Sequence, residues 1–348
     1  MRSVLPIVAL VTMLFASSAQ AGQRQPDPDV LDEQFVKIGG IDQWISIRGA
    51  NRSNPVIVVF HGGPAEAQTP LESLYSGWEK DFTVVQWDQR GAGKTFGRNG
   101  KSTPDMTLDR FVQDGIEVVE YARRRLDKDK VILLGHSWGS YLGVYAIKKR
   151  PDLFCAFVGT GQVSSWSEIQ AAQYAYILKR ARAEANNDAV KELQQIGPPP
   201  YPFGSPGFFT EQKWFRRYTP DADAKFLQKQ FEIVRSAPNF SQQDVQDWLA
   251  GSQFSIPLLV PVLFAIDLPK TQGYDMPVPF FVIQGENDYF ASTEAAKRYF
   301  KRIHAPRKKM VIIPGAGHFA YATNSEEFEA ALVKYVRPLA ASHDRRRN

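Results

Sequence analysis

The chain has 348 residues, 43% of them hydrophobic, and a formal net charge of +5 at pH 7. That is enough apolar material for a large core in one or two domains. The charge is scattered: Arg123-Arg124-Arg125 and Lys148-Lys149-Arg150 fall at predicted helix ends, where cations suit the dipole, and no basic cluster interleaves with aromatics as a nucleic-acid surface would.

The first residues read as an export signal. Arg2 gives a positive start, Val4 to Phe15 is almost wholly apolar, and Ala19-Gln20-Ala21 offers a small-residue cleavage site. The apolar run is too short for an ordinary transmembrane helix. The expectation is a signal over 1–21, no stable membrane insertion once it is cleaved, and a periplasmic or secreted product. Cys155 is the single cysteine, so no intramolecular disulfide forms; it lies in an apolar run, 153–158, that reads as a buried strand. No cysteine near the signal offers a lipid-attachment point.

After a polar lead-in at 23–29, Phe35-Val36-Lys37-Ile38, Gly39-Gly40 and Gln43 to Ile47 read as a hairpin. Val56 to Phe60 and Phe82 to Trp87 read as strands. Thr107 to Leu126 sets Leu108, Phe111, Val112, Ile116, Val119 and Leu126 on one helical face, with Thr107 as its N-cap. Val131 to Leu134 is the next strand, 141–149 a helix, and Phe154 to Val158 another strand. This alternation implies parallel crossovers and an α/β sheet covered on both faces. It stops at about Val163. From there to Asp275 the chain is mostly helical and aromatic-rich. Strands resume at Val278 to Ile283 and Lys309 to Ile313, and a helix over 325–336 closes the chain. The expected organisation is a sheet domain in two parts, 30–162 and 276–340, with a helical cap inserted at 163–275 over the carboxyl edge of the sheet, where ligands bind in such folds.

Gly135-His136-Ser137-Trp138-Gly139 directly follows a strand and precedes a helix. The Gly-x-Ser-x-Gly form puts a serine on a sharp strand-to-helix turn, exposed as a nucleophile. Such a serine needs a base, an acid and an oxyanion site. His318, in Gly315-Ala316-Gly317-His318-Phe319 after the last strand, is the candidate base; His61, His136, His304 and His343 lie in worse positions. Asp288 follows the preceding strand and is the candidate acid, with Glu286 as its rival. The backbone N–H groups of Trp138 and of Gly63, in His61-Gly62-Gly63-Pro64, are the candidate oxyanion donors. The five histidines are widely separated and no metal-ligand spacing occurs, so neither a metal nor a cofactor is expected.

Together His61 to Pro64, Trp87-Asp88-Gln89-Arg90-Gly91-Ala92-Gly93-Lys94-Thr95, the serine pentapeptide, Gly285 to Asp288 and Gly317-His318 resemble the proline iminopeptidase branch of the α/β-hydrolases. The resemblance implies the α/β-hydrolase fold, Ser137 as nucleophile, Asp288 as acid, His318 as base and a helical cap. Asp88 to Gly93 is read as a structural loop, since it lacks the spacing of a phosphate cradle. The chain departs from the family in two places. Ala65 stands where the family usually has another glycine, and no segment matches the Trp-Glu-Gly-type stretch whose glutamate holds the substrate's amine. Glu168, Glu211 and Glu232, with Trp214, are the cap residues considered for substrate binding. Three readings follow: an aminopeptidase acting on short peptides, an esterase, lactonase or amidase with the same triad and no need for a free amine, and a non-catalytic ligand-binding relative. The expected partner is a small molecule or short peptide; oligomeric state is not legible.

Overall fold

The computed structural model describes residues 30–344; the expected signal at 1–21, the lead-in at 23–29 and the arginines at 345–347 lie outside the described residues. Strands β1 (Val30–Ile38) and β2 (Ile41–Gly49) form the hairpin, with Ile38 opposite Ile41. The two residues between them, Gly39 and Gly40, have φ of 56° and 81°. Positive φ at both positions is what a two-residue loop needs to match the twist of its strands.

Strands β3 (Val56–Phe60), β4 (Thr83–Trp87), β5 (Val131–His136), β6 (Phe154–Thr160), β7 (Phe280–Gly285) and β8 (Lys308–Ile313) complete one sheet, ordered β1-β2-β4-β3-β5-β6-β7-β8. The pairings of β2 with β1 and β4 are antiparallel; all others are parallel. Central strands β3 and β5 are buried at every position, which explains why they read as unbroken apolar runs rather than alternating ones.

The helices α1 (Gly93–Asn99), α2 (Leu108–Leu126) and α3 (Trp138–Lys149) accompany the first strands. Thr107 caps α2 by accepting the Arg110 N–H, and Phe111, Val112, Ile116 and Val119 pack in the core on one face of the sheet. Asp114 shares that buried face, which an apolar periodicity does not foretell. It faces Arg90: Nε of Arg90 donates to Asp114 Oδ2 at 2.8 Å and Nη2 to Oδ1 at 3.2 Å, both side chains fully buried.

Six helices lie between β6 and β7: α4 (Trp166–Ala183), α5 (Asn187–Ile196), α6 (Pro206–Arg217), α7 (Asp221–Ser236), α8 (Gln242–Phe264) and α9 (Leu268–Thr271). The first three build a small core of their own around Ile177, Leu193, Trp214 and Phe215. Helix α8 is fastened to loops at the carboxyl edge of the sheet. Trp248 Nε1 donates to Ala67 O at 2.9 Å and Ser255 Oγ donates to Gly91 O at 2.8 Å. After β7 come α10 (Thr293–Arg302), and after β8 α11 (Ala320–Thr323), α12 (Ser325–Tyr335) and α13 (Arg337–Asp344); the closing helix expected at 325–336 is thus followed by a further one.

Candidate active site

Ser137 sits between β5 and α3 with φ 52° and ψ −118°, a strained conformation for a residue with a side chain. Its neighbours make the strain unavoidable. A Cβ at Gly139 would lie 1.9 Å from Phe60 O, and one at Gly135 would lie 2.5 Å from Gly139 O. Both glycines are therefore steric requirements of a turn this tight. Ser140 braces it, its Oγ donating to Ser137 O at 2.7 Å and accepting the Val163 N–H at 3.0 Å.

The loop after β3 presses on this elbow. A Cβ built at Gly62 would come within 3.2 Å of Ser137 Cβ. His61 holds the loop from beneath. Its Nε2 accepts the Gln89 N–H at 3.1 Å and its Nδ1–H donates to Gly62 O at 2.8 Å, so the neutral tautomer fits both partners. Burial lowers its pKa to about 4. Gln89 completes the tie: its Nε2 donates to His61 O at 3.0 Å and its Oε1 accepts from Trp138 Nε1 at 3.1 Å. Asp88 takes the Thr69 hydroxyl and the Lys94 N–H, at 2.7 and 2.9 Å, and burial raises its pKa to about 7. Residues 88–93 thus lash the Gly63 loop, the elbow and α1 together.

His318 and Asp288 meet at the ends of β8 and β7. His318 Nδ1–H donates to Asp288 Oδ2 at 3.0 Å, and both side chains are buried. Gln284 Nε2 donates to the same oxygen at 2.7 Å, while Asp288 Oδ1 accepts the Ala291 N–H at 2.9 Å. With Nδ1 engaged, the neutral imidazole keeps its lone pair on Nε2. Burial opposes protonation of His318, but the charge and hydrogen bond of Asp288, aided by Asp223 and Glu66, outweigh it and raise the pKa. Glu286, the rival acid, is exposed and accepts the Gly315 N–H at 3.0 Å instead.

Gly63, Ser137, Trp138 and His318 line one cavity of about 250 Å3. Trp138 is the first residue of α3, so its N–H has no intrahelical acceptor. The walls come largely from the inserted helices: Trp166, Ile169 and Gln173 of α4, Gln212 and Phe215 of α6, Leu227 of α7 and Leu263 of α8. The cap residues considered from sequence do not reach it. Glu168 is on the surface, paired with Arg298 at 2.9 Å. Glu232 is exposed. Glu211 is fully buried without a hydrogen-bond partner for either carboxylate oxygen, and burial raises its pKa to about 8. Trp214 packs in the small core of the insertion and donates to Glu192 Oε2 at 2.8 Å. One helical residue turns the side chain by about 100°, so Gln212 faces the cavity and Glu211 does not.

Two residues the sequence did not single out act here. Asp223, on α7, accepts the backbone N–H groups of His318 at 3.0 Å and Phe319 at 3.3 Å, across more than ninety residues of chain. Glu66, three residues beyond Gly63, lines the cavity itself. Its place in the loop next to a candidate oxyanion donor was the available signal. Among the described residues no cluster of three or more His, Cys, Asp or Glu is arranged to hold a metal ion.

A mostly parallel sheet with a serine elbow after β5, a buried Asp–His pair after β7 and β8, and helices on both faces defines an α/β-hydrolase. Comparison with known proteins narrows the class. Residues 51–322 match the serine aminopeptidase family S33, and the chain belongs to that family. It is 35% identical over 312 residues to a proline iminopeptidase of Heyndrickxia coagulans, covering 88% of this chain and 99% of that one. It is 27% identical over 315 residues to a probable aminopeptidase, YbaC, of Bacillus subtilis strain 168, covering 87% and 95%. Among solved structures it resembles a proline iminopeptidase-related protein of Thermus thermophilus, with a TM-score of 0.63 at 18% identity over 90% of this chain and 99% of the other. The chain is a hydrolase of the proline iminopeptidase-like branch.

Proposed function

We propose that the protein removes an N-terminal residue from short peptides through an acyl-enzyme formed on Ser137. The observation that carries this reading is that Ser137, His318, Gly63 and Trp138 line one largely apolar cavity. Ser137 Oγ attacks the carbonyl carbon while His318 Nε2 takes the hydroxyl proton; Asp288 steadies the imidazolium. The oxyanion is held by the N–H groups of Gly63 and Trp138. The proton on His318 passes to the departing amine. Water, deprotonated by the same imidazole, then releases the acid and frees Ser137. Helices α4 to α8 serve as a cap that admits only short chains, because the space beneath them is about 250 Å3.

The apolar walls also favour a second reading, a hydrolase of esters or amides with no free amine. Turnover of aminoacyl naphthylamides with free and N-acetylated amines, beside short-chain nitrophenyl esters, separates the two. The aminopeptidase reading expects acetylation to abolish turnover. Equal rates with and without the acetyl group would defeat it. We further propose export, on the pattern of residues 1–21; N-terminal sequencing of the mature protein from the periplasm or medium should then begin at Gly22.

A further inference from the structure

An aminopeptidase must bind the ammonium group of its substrate close to the reacting carbonyl. In an aminoacyl group the α-nitrogen lies about 2.5 Å from the carbonyl carbon, given the two intervening bonds and their angle. Once that carbon is held at Ser137, the ammonium group is confined to the same cavity. A carboxylate that does not face the cavity cannot reach it. This excludes Glu168, paired with Arg298 on the surface, and Glu232, which is exposed. It also excludes Glu211, which is buried away from the cavity.

Of the residues lining the cavity, Glu66 is the one carboxylic acid, and no lysine or arginine lines it. No hydrogen bond or ion pair among the described residues engages the Glu66 carboxylate. Its surroundings are dry enough for burial to raise its pKa, an effect that the nearby His318 partly offsets. Gln173 adds a second acceptor. Its Nε2 donates to Tyr289 O at 3.0 Å, leaving a buried Oε1 without a donor.

We propose that Glu66, on the loop that also supplies a candidate oxyanion donor, binds the free α-ammonium group of the substrate, the task that cap glutamates would otherwise perform. The assignment rests on the aminopeptidase reading. One loop would then fix both ends of the aminoacyl unit: Gly63 N–H at the carbonyl oxygen and Glu66 at the amine. The remaining walls, among them Trp166, Phe215 and Leu227, would take an apolar side chain or a proline ring.

The test is the ratio of kcat/KM for free-amine over N-acetylated aminoacyl naphthylamides, measured for wild type, Glu66→Gln and Glu66→Asp. A charge-assisted contact of this kind is worth about 10- to 100-fold, so Glu66→Gln should lower the ratio by that factor. Glu66→Asp should recover part of it. Fluorophosphonate labelling reports whether each variant still assembles its nucleophile; a Glu66→Gln protein that loses labelling together with free-amine turnover would count against a binding role. A wild type that discriminates, with a Glu66→Gln variant that discriminates equally, would overturn this assignment and leave the aminopeptidase reading standing. A wild type indifferent to acetylation would overturn both.

Discussion

Asp223 offers the sharpest probe of how the inserted helices serve the site. Its carboxylate reaches from α7 to accept two buried backbone N–H groups, those of His318 and Phe319. Asp223→Ala leaves both donors without a partner. Each buried unsatisfied donor costs about 1–3 kcal/mol, so the loss should fall between about 2 and 6 kcal/mol, less if water enters. Part of that loss will appear as looseness of the His318 loop. Asp223→Asn keeps one acceptor and removes the charge, which separates packing from electrostatics. Asp223 is among the groups that raise the His318 pKa, behind burial, which lowers it, and Asp288, which raises it. His318 must be neutral to accept a proton, so kcat/KM should fall as pH drops through a value above the ordinary 6.5 of imidazole. Asp223→Asn should move that acid limb to lower pH. Urea denaturation and a pH–rate profile measure the two effects. A denaturation midpoint unchanged in Asp223→Ala, with an unshifted acid limb in Asp223→Asn, would show that Asp223 neither holds the His318 loop nor raises the His318 pKa.

Glu211 carries a folded-state pKa of about 8 against an ordinary 4.5, because it is buried without a partner. The raised value means that stability is fully present below about pH 4.5 and declines as pH climbs toward 8, by about 3 kcal/mol at pH 7. Glu211→Gln should therefore gain stability over wild type as pH rises from about 5 to about 8; a difference independent of pH would show the carboxylate to be ionised throughout. Ala65 has φ 67°, the left-handed region that favours glycine. Ala65→Gly relieves strain of about 1–2 kcal/mol but gives up a buried methyl and frees the unfolded chain, so it should stay within about 0.5 kcal/mol of wild type, whereas Ala65→Val should lose more than about 2 kcal/mol; equal midpoints for the two variants would contradict this. Arg90→Met leaves a hole in the buried pair with Asp114 and should cost about 3–5 kcal/mol in chemical denaturation. A loss below about 1 kcal/mol would mean that Gln43 and Arg110, the other partners of Asp114, suffice.

The readable parts of the site were those whose chemistry is local. The elbow shows in five residues because part of its steric demand is local, as the clash expected of a Cβ at Gly135 with Gly139 illustrates, although the demand at Gly139 comes from Phe60 across the sheet. His318 and Asp288 are marked by their places just after strands. The Gly39-Gly40 hairpin and the Thr107 cap are likewise short-range. Asp223 and Asp114 were not legible, since each acts on residues brought near only by folding, Asp223 on the His318 loop and Asp114 on Arg90. Glu66 was marked only by its place beside Gly63, while the cavity it lines is walled by four helices from elsewhere in the chain. The cap glutamates failed for a related reason. Composition places a carboxylate on a helix, but only the rotation of that helix over the sheet decides which side chain faces the cavity. On α4 the lining positions are 166, 169 and 173, a helical stripe that bypasses Glu168.

Everything proposed for this site depends on Ser137 being an activated nucleophile served by His318. Mass mapping of the adduct after treatment with a fluorophosphonate decides it. A single modified serine, Ser137, should form rapidly in the wild type, be lost in Ser137→Ala and form much more slowly in His318→Ala. Labelling that persists in Ser137→Ala, or a wild type that takes up no label, would contradict it.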